Sequence, residues 1–276
     1  MPPPARLRSA AAILLLLARA GSGQEARPPR LDLRVAADGW GEARTADIQA
    51  LLRSAADELL LRFPGFPLPV IDVSRSMAGP ITLYKRGPDG EVQVKLDVEG
   101  MLWARFSFQF AHELCHVVCG AEEYANPNQW FEESVCETSS LFVLGRMSET
   151  WKTRAPYRNW TEYGPELKKY RDERIEKEGE PLPEGVPFDE WFRGREAALR
   201  ADPHLRKANL TIAAALLPLF EEAPGHWEAL RWLNTVHGHK DRTFSRYLGD
   251  WSRSAPENHR DFIRRLAKRL GATVDP

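Results

Sequence analysis

The chain is poor in cysteine, with only Cys115, Cys119 and Cys136 among its 276 residues. Three thiols cannot all pair, which excludes a disulfide scaffold. It also lacks an apolar run long enough to cross a bilayer, which takes about 20 residues. The early run from Ala10 to Ala18 spans nine residues, and the best later one, TIAAALLPLF at 211–220, is interrupted by Pro218. A basic surplus is missing too, with 38 Lys and Arg against 39 Asp and Glu. With no basic stripe either, this argues against a nucleic-acid partner. Internal repeats and low-complexity tracts are absent beyond a Pro- and Arg-rich link at 27–30.

What is present begins with MPPPARLRSAAAILLLLARA, in which Arg6 and Arg8 precede the apolar run and Ala18-Arg19-Ala20 follows it. This is the three-part pattern of a secretory signal peptide over residues 1–20. The expected mature protein is therefore exported, either secreted or held in the periplasm or cell envelope, with no membrane span. Without the leader's three arginines, 35 basic residues face 39 acidic ones. A hydrophobic content of 43% with nine tryptophans suits a well-buried core.

Residues 31–276 are expected to form a single domain. LDLRVAA at 31–37 alternates as a strand does. In 45–63, Ile48, Leu51, Leu52, Ala55, Leu59 and Leu60 form one helical stripe. Strand-like PVIDVS (69–74) and PITLYKR (80–86) follow, then a Pro88-Asp89-Gly90 turn into EVQVKLDV at 91–98. A helix over 103–119 stops at Gly120, and another starts after Asn126-Pro127 and runs to about Leu144. Beyond 150 the pattern is helical, with segments near 162–178, 188–201, 204–222, 225–236, 243–253 and 257–270. The expected class is α+β: a small mixed sheet with an active-site helix, then a mainly helical C-terminal lobe.

The chemistry-bearing stretch is FAHELCH at 110–116. His112 and His116 are four apart on a predicted helix, so both imidazoles project from one face and can share one Zn²⁺. Glu113 points to the side, where it can act as general base without being a ligand. The competing reading is a buried helix with two satisfied histidines. WFEESVCE at 130–137 weighs against it by supplying Glu132, Glu133 and Glu137 on the next helix. Glu133 and Glu137 share a face while Glu132 points about 100° away. One acid on the shared face can complete a three-ligand site, and the other can accept the free N–H of a ligand imidazole.

HELCH followed by WFEESVCE resembles the gluzincin metallopeptidases, the thermolysin-like and M1-aminopeptidase-like enzymes with a glutamate ligand on the helix after HExxH. The W-L-N-E-G segment of the aminopeptidases is similar to Trp130 through Ser134 and implies Glu133 as the third ligand. In the thermolysin type an acid four residues on supports the first histidine, which implies Glu137 behind His112. The resemblance implies a zincin-like fold, one zinc ion, a peptide or protein substrate, and Glu113 as the catalytic base. It also implies that the strand at 91–98 is a sheet edge that pairs with extended substrate. The rival expectation is a zincin-fold zinc-binding or structural protein that cleaves nothing.

The cysteines either are small buried residues or include a pair across the two helices, with Cys119 to Cys136 the favoured bridge. A His₂Cys₂ site along one helix is excluded because it would span about 10 Å. The donor that would hold an oxyanion could be His226, Tyr247, Tyr157 or Tyr163.

Overall fold

The computed structural model describes residues 29–120, 125–237 and 241–275, so the expected leader lies outside the described residues. The chain is α+β, with a small mixed four-stranded sheet and a predominance of helix. Strand β1 (Leu33–Val35) leads through helix α1 (Thr45–Leu60) to β2 (Ile71–Arg75). The two strands pair in parallel, making a βαβ unit. Strands β3 (Ile81–Leu83) and β4 (Val92–Leu96) form the expected hairpin, and Gly90 in its turn takes a positive φ of 81°.

The sheet order is β1-β2-β4-β3. β4 pairs in parallel with β2 and antiparallel with β3, so it is internal. This corrects the expectation that the strand at 91–98 is the edge: the edge beside the histidine-bearing helix is β3. The reason lies in β4, whose Val92, Val94 and Leu96 are buried and whose backbone is paired on both sides.

Helix α2 (Trp103–Val118) carries the two histidines and ends where Gly120 adopts φ of 79°. Helix α3 (Gln129–Arg154) lies against it and also contacts α1 and the later helices. Close approach of α2 and α3 is allowed by small hydroxyl residues. Ser139 and Ser140 donate to the carbonyls of Ala111 and Phe108 on α2, at 3.3 and 2.8 Å. Ser134 and Thr138 donate instead to carbonyls one turn back on α3. The helix continues ten residues past the expected end at Leu144. It passes through Gly145, where a Cβ would stand 2.2 Å from an Arg171 nitrogen. There glycine makes room for a neighbour and does not stop the helix.

The C-terminal lobe comprises α4 (Gly164–Lys177), α5 (Phe188–Ala201), α6 (Arg206–Glu222), α7 (Phe244–Ser254) and α8 (Glu257–Arg269). 3₁₀ turns at Arg158–Tyr163 and Pro224–Trp232 punctuate it. Its hold on α3 is aromatic. Trp130 lies 4.7 Å from Phe244 and 5.2 Å from Phe192, ring centroid to centroid, and Phe131 lies 5.9 Å from Trp251. The start of α3 is fixed by buried Asn128, which donates to the Arg242 carbonyl at 3.0 Å and accepts from Arg200 at 2.8 Å. This anchoring sets the rotation of the Glu132 to Glu137 segment relative to α2. Among the described residues, no helix is long and apolar enough to cross a membrane.

Candidate metal centre

A cleft of about 960 Å³ opens between β3, α2, the start of α3, α4 and the start of α6. His112, His116 and Glu133 line it together, and their ligand atoms all lie within 4.8 Å of one another. Both Nε2 atoms face Glu133: His112 Nε2 is 3.2 Å from Oε2, and His116 Nε2 is 3.7 Å from Oε1. A tetrahedral zinc with bonds of ~2.0 Å sets neighbouring ligands ~3.3 Å apart, so the donors need little adjustment to hold one ion.

The Nδ1 atoms face away from this point, each toward its own acid. His112 Nδ1 is 3.3 Å from Glu137 Oε2, and His116 Nδ1 is 2.7 Å from Glu132 Oε1. Acceptors on Nδ1 hold each ring in the tautomer that leaves Nε2 free to bind. Glu132 therefore has a partner that its offset on a helical wheel does not suggest. α3 crosses α2 so that consecutive acids reach opposite sides of the histidine pair.

Burial alone would lower the His112 imidazole, but the Glu133 and Glu137 carboxylates raise it to about 10. His116 is likewise raised well above its ordinary value against burial, by Glu133 and Glu132. Glu133, which burial would raise, is held far below the usual carboxylate range by the two histidines. The three groups form a charged unit in which a divalent cation could replace imidazole protons.

Glu113 is buried at the cleft wall, where its Oε2 accepts from the Thr82 hydroxyl of β3 at 2.7 Å. That same hydroxyl lies 3.1 Å from the Glu113 carbonyl oxygen, pinning α2 to the edge strand. Arg174 of α4 donates to Glu137 Oε1 at 3.4 Å and stacks 4.1 Å over the Phe108 ring.

The expected donors are scattered. Tyr163 lines the cleft. Tyr247 is fully buried and donates to Asn234 Oδ1 at 3.0 Å. His226 packs against His259, their Nδ1 atoms 3.0 Å apart, and Tyr157 packs on Trp160. Two participants carry no sequence signal. His204, exposed just before α6, places Nδ1 3.6 Å from Glu133 Oε1. Asn234 donates to Glu132 Oε2 at 2.7 Å.

The expected Cys119–Cys136 bridge is absent: Cys115, Cys119 and Cys136 are all free and buried. Their sulfurs meet as a group of three, which leaves no unique pair to join. A further grouping that could hold a metal consists of His116, Glu132 and Cys136. Compared with protein-family models, curated proteins and solved structures, the chain finds no match.

Proposed function

We propose that this chain is a zincin-like zinc metallopeptidase acting on a peptide or protein substrate. The observation that carries this reading is the convergence of two Nε2 atoms on Glu133 in an open cleft, with Glu113 on the adjoining wall. Two imidazoles and one carboxylate make a three-ligand set that leaves a fourth position for chemistry. Bound there, zinc would supply Lewis acidity to a peptide carbonyl and to a water molecule.

The chain's own groups supply the remaining steps. Glu113 takes the proton of the attacking water and returns it to the leaving amine nitrogen. The Thr82 hydroxyl holds Oε2 and leaves Oε1 for that exchange. Glu137 and Glu132 keep His112 and His116 in the binding tautomer. His204, with Nδ1 3.6 Å from Glu133 Oε1, and Tyr84, which lines the same cleft, are able to donate to a developing oxyanion. Strand β3, paired on one side by β4, offers its other edge to extended substrate backbone.

Zinc content and cleavage of a mixed peptide library test the proposal. The wild type should carry one zinc and cut. Glu113→Gln should keep the metal and lose about 10²- to 10⁴-fold in rate, and Glu133→Ala should lose the metal. A wild type that holds zinc and cuts nothing would instead support a zinc-binding or structural protein. In that case the Thr82 bond would be the whole role of Glu113.

A further inference from the structure

The chain has three cysteines, and all three meet at one place. Cys115 and Cys119 lie one turn apart on α2, and Cys136 faces them from α3. The three Sγ atoms lie within 4.8 Å of one another, all are free thiols, and none lines the cleft. Single buried cysteines pack as small apolar residues. Convergence of every thiol in the chain from two helices is a different arrangement, because it presents three sulfurs to one point.

We propose that Cys115, Cys119 and Cys136 form a second site, a three-sulfur pocket for a soft, thiophilic, three-coordinate centre, with trivalent arsenic as the species it fits. Soft sulfur ligands select soft centres over magnesium or calcium. Structural zinc takes four ligands, whereas this cluster offers three sulfurs. The nearest other donors, His116 and Glu132, are engaged with each other at 2.7 Å. Three sulfurs around one pyramidal centre at bonds of ~2.3 Å stand ~3.5 Å apart, inside the 4.8 Å envelope.

Charge then chooses among soft centres. A monovalent or divalent ion on three thiolates leaves net negative charge in a buried site, which is costly. Arsenite reacts without that charge: As(OH)₃ and three Cys–SH give As(S–Cys)₃ and three waters. Three As–O and three S–H bonds break, three As–S bonds form, and each hydroxide leaves with a thiol proton. No oxidant or reductant is needed.

The test uses the reduced, folded full chain under anaerobic conditions with arsenite. The expected result is one arsenic per chain, a mass gain of one arsenic less three hydrogens, and loss of all three titratable thiols. Zinc uptake should be unchanged. Cys136→Ala and Cys119→Ser should each weaken arsenite binding at least tenfold. No adduct on the folded wild type, or an adduct that keeps one hydroxyl on two sulfurs, would overturn the proposal. The wild-type mass alone decides between these outcomes if a variant fails to fold.

Discussion

The two histidines of the candidate metal centre are supported in opposite ways. Behind His112 stands Glu137, held by the Arg174 guanidinium, and all three line the cleft. Behind His116 stands Glu132, held by the neutral Asn234 amide, itself tied to the Tyr247 hydroxyl, in a buried chain apart from the cleft. The same task, fixing an imidazole, falls to an ion pair where water is near and to neutral hydrogen bonds where it is not. Near water an ion pair is cheap to form but weak and screened by salt. In the interior a neutral amide satisfies a carboxylate without adding a second buried charge.

The largest expected effect treats both sides alike. Both imidazoles are raised by their carboxylates, His112 to about 10, so each should hold an extra proton at neutral pH in chelated protein. Zinc must displace both, and affinity should rise about a hundredfold per pH unit near neutrality. Calorimetry in buffers of differing ionisation enthalpy would show nearly two protons released. Release of one would break the symmetry and identify one imidazole as already neutral. Stability of the chelated protein follows the same groups. A raised histidine stabilises fully below its ordinary 6.5, and for His112 that contribution is lost as pH climbs through about 10. The depressed Glu133 stabilises above its ordinary 4.5 and loses that contribution as pH falls. The chelated protein's Tm should therefore decline from about pH 6.5 to about pH 10.

The next effect separates the two sides. Glu132→Ala and Glu137→Ala should each weaken zinc binding by about 10- to 100-fold. The loss at Glu132 should be the larger, because it also removes the 2.7 Å bond that the buried Asn234 amide donates. Raising the salt should erode the wild-type advantage over Glu137→Ala and leave the advantage over Glu132→Ala intact. Zinc competition against a chelator at low and high ionic strength reads both. Equal salt dependence would mean that the ion pair and the neutral chain are not energetically distinct.

How much of this was legible in the sequence follows the range of each interaction. HELCH fixes two imidazoles on one helical face by local spacing, and the α5 range, 188–201, is legible because its polarity alternates with helical period. Glu133 and Glu137 are legible as a shared face. The pairing of Glu132 with His116 is not, since it depends on how α3 crosses α2. Asn234 meets Glu132 across 102 positions of sequence, and no local pattern marks it. The identity of the edge strand is hidden for a related reason: β3 and β4 are sequence neighbours, but only the remote pairing of β2 with β4 decides which is outermost. The far end of α3 is hidden by Gly145, whose role is set by Arg171 from another helix.

The smallest effect tests how far support for His116 extends. The Tyr247 hydroxyl donates to Asn234 Oδ1, and Asn234 Nδ2 in turn donates to Glu132 Oε2. Tyr247→Phe keeps the ring that packs against Phe131 and removes only the hydroxyl. Folding stability should fall by about 1 to 3 kcal/mol, because a buried amide oxygen loses a donor. Zinc affinity should fall less than in Glu132→Ala, since the carboxylate keeps both His116 and the amide. A double variant with Glu132→Ala should show coupling, the second change costing little zinc affinity once Glu132 is gone. Additive losses would mean that Tyr247 acts on the fold alone, and that the neutral chain behind His116 ends at Asn234.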